Sequence, residues 1–258
     1  MAKVIAITNQ KGGVGKTSTA SALASGLQEK KYKVLAIDLD PQGNLGFCLG
    51  AETENAPTVY DLMKGAASIE DVIQTNNGID ILPANILLSG AELEFSNIGR
   101  EFMLKKGIAP VMDDYDFVII DTPPALNILT VNAYTATDYL IIPMVPEILS
   151  LLGISQLTET IELVKGVYNP KIEVLGILLN KYDARRTLTK DVEEMAQMIA
   201  RQLGTKVFTT KIRASVAVAE APAHGQSVFR YSPKSNSAKD YRQFIKEIIS
   251  QKGMKDGN

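Results

Sequence analysis

The stretch NQKGGVGKT at residues 9–17 directly follows a short apolar run at residues 4–8. Its three glycines allow backbone N–H groups to approach phosphate oxygens, because no Cβ stands in the way. Lys16 would neutralise charge on the outer phosphates, and the Thr17 hydroxyl would ligate Mg²⁺. A helix that begins near Lys16 would direct the positive end of its dipole at the same anion. The stretch therefore predicts a phosphate-binding loop between a strand and a helix.

This loop departs from the usual G-x-x-x-x-G-K-[ST] pattern, whose first glycine is replaced here by Gln10. A second lysine, Lys11, stands five residues before Lys16. One loop needs one lysine at its phosphates. Lys11 is therefore either solvated at the loop tip or directed at a second cluster of phosphates.

The composition is that of an ordinary soluble globular protein: 258 residues, 45% hydrophobic, 22% charged, with a formal net charge of −2. No linker or repeat divides the chain, so we expect a single domain over residues 1–258. Cys48 is the only cysteine, which excludes an intrachain disulfide and a CxxC metal or iron–sulfur site. We expect it to be a buried or half-buried apolar residue. The charge argues against an overall basic coat for nucleic acid, but it allows a local basic patch.

The sequence shows no targeting or membrane-spanning segment. Polar residues 8–11 interrupt the first apolar run, so we expect no signal peptide. The longest apolar stretch, residues 139–154, contains two prolines and a glutamate and is too short to span a bilayer. We expect a cytoplasmic protein.

Apolar, β-branched runs alternate with helical patterns along the chain. Strands are predicted at residues 3–8, 34–38, 79–83, 117–121, 139–143 and 174–180, with a weaker one at 206–209. Helices are predicted at residues 18–30, 147–167, 189–203 and 238–250. This alternation predicts an α/β fold with a doubly wound, mostly parallel sheet and helices on both faces. Ligands of such sheets bind at the carboxyl ends of the strands.

Carboxylates follow two of these strands. Asp38 and Asp40 leave the second strand two residues apart and would point the same way. One could hold a water of Mg²⁺ and the other could orient an attacking water, although a polar turn would have the same composition. Asp121 ends the strand at 117–121 and has the position of a magnesium-side acid in P-loop enzymes.

Four motifs together carry a family resemblance: KGGVGKT at 11–17, DLDPQGN at 38–44, FVIIDTPP at 117–124 and EAPAHG at 220–225. The chain resembles the ParA/MinD family of deviant-Walker P-loop ATPases, and most closely its ParA (Soj-like) partition ATPases. The resemblance covers nearly the whole chain. It implies ATP and Mg²⁺ as cofactors, with catalytic roles for Lys11, Lys16 and Asp40 and metal-side roles for Thr17, Asp38 and Asp121. The nucleotide contacts it implies are Gly12, Gly13, Val14, Gly15, Lys16, Thr17, Ser18, Asn180 and Pro222.

The resemblance also implies a switch. Lys11 would cross to the nucleotide of a partner subunit in an ATP-sandwich homodimer, which makes dimerisation depend on the γ-phosphate. The dimer would bind DNA non-specifically, and a ParB-like or other adaptor protein would stimulate hydrolysis. Such a protein would be cytoplasmic and nucleoid-associated. Because the P-loop begins by residue 9, we expect no helix-turn-helix domain before it.

The residues alone do not decide whether the bound nucleotide carries adenine or guanine. Asn180-Lys181-Tyr182-Asp183 follows a predicted strand, and N-K-x-D at that place indicates guanine recognition. In a ParA-like chain, this segment and residues 213–222 would frame adenine instead. The other motifs favour ATP.

Basic residues that would contact the DNA backbone are predicted from the same resemblance. The candidates are Arg185, Arg186, Lys190 and Arg213. Residues 217–219 read Ala-Val-Ala, where some chromosomal relatives carry another basic residue, so the DNA surface would be arranged differently or be weaker.

Two rival functions remain. A MinD-like membrane role would need a free apolar face on the last helix, where Tyr241, Phe244, Ile245, Ile248 and Ile249 recur at helical spacing. Such a stripe more often packs onto the body of the protein, and we expect no membrane partner. A P-loop GTPase or ligase of the same superfamily would need a substrate pocket with its own polar groups, and none is evident.

Overall fold

The computed structural model describes residues 1–146, 154–185, 187–251 and 253–254. Seven strands form one sheet in the order β3-β4-β2-β5-β1-β6-β7. All neighbouring strands are parallel except the edge pair β3 and β4. The strands are β1 Lys3–Ile7, β2 Val34–Asp38, β3 Gln74–Asn76, β4 Ile79–Leu82, β5 Phe117–Asp121, β6 Tyr139–Met144 and β7 Glu173–Leu179.

Helices cover both faces of the sheet and bury two separate apolar cores. One core packs against α1, α2, α11 and α12, and the other against α3 to α9. The apolar runs of the central strands are buried on both faces, as parallel strands between two helix layers require. The helices are α1 Lys16–Glu29, α2 Asn44–Leu49, α3 Val59–Lys64, α4 Ile69–Val72, α5 Ala91–Glu94, α6 Met103–Ile108, α7 Ile128–Ala136, α8 Ile154–Val167, α9 Thr187–Gln202, α10 Val216–Glu220, α11 Val228–Tyr231 and α12 Asn236–Ile249.

The predicted doubly wound, mostly parallel sheet is confirmed, with two differences. The antiparallel strand β3 was missed, although Asn77-Gly78 carries the signal of a two-residue hairpin turn, and both residues have positive φ. The weak strand predicted at 206–209 is wrong: the segment makes only an isolated bridge between Ile177 and Val207. Residues 147–153 of the predicted helix 147–167 lie outside the described residues. The single-domain organisation over residues 1–258 stays a prediction.

Strand register places the chemical motifs side by side. Ile7, the last residue of β1, is paired with Asp121, and Asp121 is paired with Asp38. Three adjacent strands therefore end together, one in the glycine-rich loop and two in carboxylates. This edge of the sheet carries the candidate site.

The apolar stripe of α12 faces the protein body. Tyr241, Phe244, Ile245 and Ile248 are buried in the core that also contains α1. Among the described residues, no helix combines the length and hydropathy needed to cross a bilayer.

Candidate nucleotide-binding site

The glycine-rich loop adopts a backbone that its glycines make possible. Gly13 and Gly15 have φ values of 75° and 92°, a region that favours glycine. A Cβ on Gly15 would lie 2.7 Å from Nδ2 of Asn180. That amide donates to the carbonyl of Val14 at 2.9 Å and to Oγ1 of Thr19 at 3.2 Å. The end of β7 thus supports the loop from behind, and any side chain at position 15 would separate the two.

Lys16 begins α1 and is only 7% exposed. Its Nζ donates to the carbonyl of Lys11 at 3.3 Å, which draws the ammonium back over the loop. Burial lowers the pKa of Lys16, and the nearby carboxylates of Asp121 and Asp40 oppose this effect. A buried cation at a helix N-terminus that follows a glycine-rich loop is an arrangement that binds phosphate.

Asp38 is fully buried and well held. Its Oδ1 accepts from the N–H of Asp40 at 3.0 Å, while its Oδ2 accepts from the N–H groups of Leu45 at 2.8 Å and Gly46 at 3.0 Å. Burial nevertheless raises the pKa of Asp38 to about 7, because the three hydrogen bonds only partly offset the loss of solvation.

Asp121 is also fully buried, and neither carboxylate oxygen has a close hydrogen-bond partner among the described residues, although the side chain of Thr17 is near enough to act as a donor. Burial raises its pKa well above the usual range, and repulsion from Asp38 adds to the shift. Thr17 and Lys16 lie close enough to oppose it. A buried carboxylate without a donor is costly unless a cation or ordered water completes it.

Asp40 stands two residues beyond β2, at the mouth of the site. It is partly exposed, and its Oδ1 accepts from the N–H of Gln42 at 3.0 Å. The turn that follows Asp38 therefore separates the two carboxylates: Asp38 is directed inward and Asp40 reaches the cavity edge.

A cavity of about 420 Å³ opens above the loop. It is large enough for a nucleotide-sized ligand. The predicted site residues that line it are Gly12, Gly13, Val14, Gly15, Lys16, Thr17, Ser18, Asp40, Asn180 and Arg213. Asp38 and Asp121 are fully buried and do not line it.

Among the predicted catalytic residues and nucleotide contacts, Pro222 and Lys11 do not line this cavity. Pro222 lines a smaller adjoining cavity of about 20 Å³, next to Ser18 and Tyr241, which border both. Lys11 is half-buried at the loop, where its carbonyl receives the Lys16 ammonium. Its predicted target belongs to a second subunit, so its distance from this cavity is no test of that role.

Several residues that line the cavity, among them Lys181 and Tyr241, were not named individually as nucleotide contacts. Lys181 takes a positive φ of 51°, and its Nζ donates to the carbonyl of Gly13 at 3.0 Å. Tyr241 comes from α12, more than two hundred residues after the loop, and lines the cavity beside α1, where its side chain interacts with Thr19. Position after a strand could have indicated Lys181. No sequence signal indicates Tyr241, because only the packing of α12 brings it here.

The N-K-x-D segment is not arranged to read guanine. Asn180 is used to brace the loop, and its Oδ1 is buried without a partner among the described residues. Asp183 does not line the cavity. Its two carboxylate oxygens accept hydrogen bonds from Nε and Nη2 of Arg185, both at 3.0 Å.

The predicted DNA contacts are found in different settings. Arg185 is paired with Asp183 but its side chain is 90% exposed. Arg213 forms a two-pronged pair with Asp240. Arg186 and the side chain of Lys190 lie outside the described residues.

No group of three or more His, Cys, Asp or Glu side chains able to hold a metal occurs in the described part of the chain. Mg²⁺ is commonly held by one or two protein groups together with substrate phosphates and water. Thr17, Asp38 and Asp121 offer that kind of partial shell beside the phosphate loop.

Comparison with known proteins agrees with this geometry. A family model described as an AAA domain matches residues 2–174. The sporulation initiation inhibitor protein Soj of Bacillus subtilis is 42% identical over 97% of this chain and 99% of its own length. The chromosome partitioning protein ParA of Caulobacter vibrioides is 39% identical, over 96% of this chain and 94% of its own length.

Solved structures share both fold and site type. A cobyrinic acid a,c-diamide synthase from Mycobacterium smegmatis, with bound ADP and magnesium, superposes with a TM-score of 0.83 at 35% identity, covering 95% of this chain and 93% of that one. The septum site-determining protein MinD of Pyrococcus horikoshii, complexed with Mg-ADP, gives 0.78 at 25% identity and 97% coverage of both chains. With its glycine-rich loop, second lysine and paired strand-end aspartates, the chain belongs to the ParA/MinD family of deviant-Walker P-loop ATPases, among the Soj and ParA proteins.

Proposed function

We propose that this protein is an ATP-dependent dimerising switch of DNA partition or cargo positioning. As the ATP-bound homodimer it binds DNA without sequence preference. It hydrolyses ATP to ADP and phosphate slowly, and a ParB-like or other adaptor protein accelerates that step and releases the DNA. The similarity to Soj and to a chromosome partitioning protein over nearly the whole chain supports this role.

The observation that carries the proposal is the buried carboxylate of Asp121 next to the glycine-rich loop, which has no close hydrogen-bond partner among the described residues. A hydrated Mg²⁺ would provide the donors that this carboxylate lacks. Thr17 would hold the ion directly, while Asp121 and Asp38 would act on its water ligands. Bound Mg²⁺ would neutralise charge on the outer phosphates.

The chain's own residues then have distinct tasks. The N–H groups of the loop and the Lys16 ammonium bind and orient the phosphates. Asp40, at the cavity edge, orients the attacking water. Lys11 extends to the nucleotide of the partner subunit, so that the two halves separate once the γ-phosphate has left.

The geometry favours ATP over GTP. Asp183, the residue that would read guanine in an N-K-x-D segment, is engaged by Arg185 and does not line the cavity. Outside the phosphate loop, the cavity lining includes the apolar residues Ile212, Ala214, Val218 and Ala219, beside Arg213 and Ser215. Such a lining suits a flat base held by packing.

Light scattering tests the switch directly. With a non-hydrolysable ATP analogue and Mg²⁺ at saturation, the wild-type chain should have the mass of a dimer. Lys11→Ala should bind the analogue but stay at monomer mass, and Lys16→Ala should not bind it. A wild-type monomer at saturation, or a dimeric Lys11→Ala variant, would contradict the proposal.

A second candidate follows from the 35% identity to a protein described as a cobyrinic acid a,c-diamide synthase. An amide-forming enzyme would couple ATP hydrolysis to a corrin carboxylate and a nitrogen donor. Measuring ADP release with cobyrinic acid and glutamine or ammonia, and separately with DNA and a ParB-like partner, discriminates the two. Acceleration only by the corrin acid and nitrogen donor would favour the synthase.

A further inference from the structure

Part of the cavity wall is formed by a segment without regular secondary structure. Residues 209–215 follow α9 and are tied to the end of β7: the N–H of Tyr182 donates to the carbonyl of Ile212, and the N–H of Ile212 donates to that of Leu179, both at 2.9 Å. Ile212 and the three residues after it line the cavity. The phosphates would occupy the other end, at the glycine-rich loop. Residues 212–215 therefore belong to the side where the base would lie.

One carboxylate of α12 holds the start of this segment. Glu247 accepts from the N–H of Thr209 through Oε1 at 2.8 Å and from the N–H of Thr210 through Oε2 at 2.9 Å. Two consecutive backbone donors bound by one carboxylate fix both the position and the direction of the chain there.

A second carboxylate of α12 holds the part that enters the cavity. Asp240 Oδ2 accepts from the backbone N–H of Arg213 at 3.1 Å and from its Nε at 2.9 Å. Asp240 Oδ1 accepts from Nη2 of Arg213 at 2.6 Å. The Asp240 side chain is 13% exposed and that of Arg213 is 49% exposed. A charged pair with three hydrogen bonds and a mostly buried acceptor is far better defined than an ordinary surface ion pair.

These two carboxylates share one face of α12, since residues seven apart lie two helical turns from each other. The adjoining face of the helix is fixed in the core through Phe244, Ile245 and Ile248. The same helix contributes Tyr241 to the cavity wall. The helix is therefore a rigid support from which both the tyrosine and the wall segment are positioned.

We propose that Asp240 and Glu247 are positioning residues that fix the base-side wall and set the preference for adenine nucleotides. Arg213 acts with Asp240 as part of that wall, in place of the DNA contact predicted for it from sequence. This inference rests on the proposed binding of ATP at this cavity, and it assigns to α12 a role in nucleotide selection.

Calorimetric titration with ATP, GTP and inorganic tripolyphosphate, each with Mg²⁺, tests the assignment. Asp240→Ala should weaken ATP binding about tenfold, the loss expected for a charge-assisted contact that positions the wall. Its affinity for tripolyphosphate should remain within about twofold of wild type, because that probe needs only the phosphate loop. The preference for ATP over GTP should shrink in the same variant. Gln243→Ala, exposed on the same stretch of α12, is the matched control and should change neither affinity.

A double variant tests whether the pair acts as a unit. Arg213→Ala together with Asp240→Ala should bind ATP no more weakly than the worse single variant. Asp240→Asn keeps an acceptor for the Arg213 N–H, serves where Asp240→Ala does not fold, and should show a smaller loss of ATP affinity. Glu247→Gln should likewise weaken ATP binding more than tripolyphosphate binding.

Several results would overturn the inference. Equal losses for ATP and tripolyphosphate would mean general damage and not a positioning role. Unchanged nucleotide affinities combined with stronger DNA retention by Asp240→Ala would make Arg213 a DNA contact restrained by its partner. If wild type prefers ATP and both carboxylate variants retain that preference, residues other than Asp240 and Glu247 determine it. A wild-type protein that binds GTP as tightly as ATP would instead overturn the proposed ATP specificity, and this inference with it.

Discussion

Asp38 and Asp121 are two ionisable carboxylates buried on adjacent strands, where ionisation costs free energy. Strand register pairs them directly, and both are fully buried. Asp38 has three backbone donors, whereas Asp121 has none among the described residues. Ionisation of this pair is therefore costly in the nucleotide-free protein, and bound Mg²⁺ would compensate the negative charge.

The stability of the nucleotide-free protein should consequently fall as pH rises. A carboxyl whose folded pKa is raised contributes stability that is complete below its ordinary pKa of about 4 and is lost as pH passes through the raised value. For Asp38 that value is about 7, and burial is the main cause. Urea denaturation without Mg²⁺ should show the free energy of unfolding to be lower at pH 7 than at pH 5, by about 2 kcal/mol.

Asp121→Asn is the control for this effect. It removes one of the two titrating groups and the repulsion it shares with Asp38, so the decline between pH 5 and pH 7 should be smaller than in wild type. The same decline in both proteins would mean that other groups govern the pH dependence.

Unlike the buried Asp38 and Asp121, Asp40 is partly exposed and reaches the cavity edge. Asp40→Ala should leave ATP binding intact and reduce hydrolysis by about 10²- to 10⁴-fold, the usual contribution of a group that positions or activates a reacting water. The ATP-bound dimer should then stay on DNA in a mobility-shift assay. Phosphate release at the wild-type rate would remove Asp40 from this role.

Among the helices, α1 is where the phosphate loop is joined to the core. It packs against α11 and α12 at Gly26, where an added Cβ would meet Cδ1 of Ile245 and lie 3.0 Å from Cε2 of Phe229. The absence of a side chain at this point allows the three helices to approach closely. The N-terminus of α1, with Lys16, is thereby held against the same unit that supports the base-side wall.

Gly26→Ala should therefore destabilise the protein by about 1–3 kcal/mol, even though alanine favours helix formation, because the added methyl group overpacks this contact. Gly166 in α8 is the matched control, since nothing lies within 4 Å of the Cβ that would be added there. Gly166→Ala should stabilise by up to about 1 kcal/mol through helix propensity alone. Thermal unfolding of both variants measures this contrast; equal shifts would contradict the close approach at Gly26.

At the scale of the whole molecule, the formal net charge is close to zero, so any DNA binding must come from a local surface. Arg185 is the most exposed of the described candidates, and Arg213 is held by Asp240. A nearly neutral net charge on each subunit is compatible with the proposed DNA binding by the ATP dimer. Two small basic patches that dimerisation brings together would act as one larger patch.

Replacing both Arg185 and Arg186 with alanine should weaken ATP-dependent DNA binding about tenfold and lower the salt slope by about one for each DNA phosphate that the dimer no longer neutralises. Dimer mass by light scattering should not change. Lys105→Ala with Lys106→Ala removes the same charge from exposed positions on α6 and should leave DNA binding as it is. Equal retention of DNA by all three proteins would exclude the arginine pair.

Much of the nucleotide edge could be predicted because its signals are local. A strand followed by glycines and a lysine, or by an aspartate, is contained within about ten residues. Glycine then permits the loop conformation, and the parallel strands bring their carboxyl ends to one edge of the sheet. The β3 strand was missed for a different reason: three half-exposed residues carry little hydrophobic pattern. The segment 206–209 has the composition of a strand but forms only an isolated bridge, because tertiary packing decides where an apolar run pairs.

By itself, then, the sequence determined the fold class, the phosphate loop and the acids at the strand ends, since each depends on residues close together in the chain. Only the tertiary structure decided which groups are left without partners and which are already engaged. Asp121 without a close hydrogen-bond partner among the described residues, Arg213 held by Asp240, and Tyr241 in the cavity wall all result from how distant parts of the chain meet. These arrangements depend on how helices pack on the sheet, and no short stretch of the chain encodes that packing.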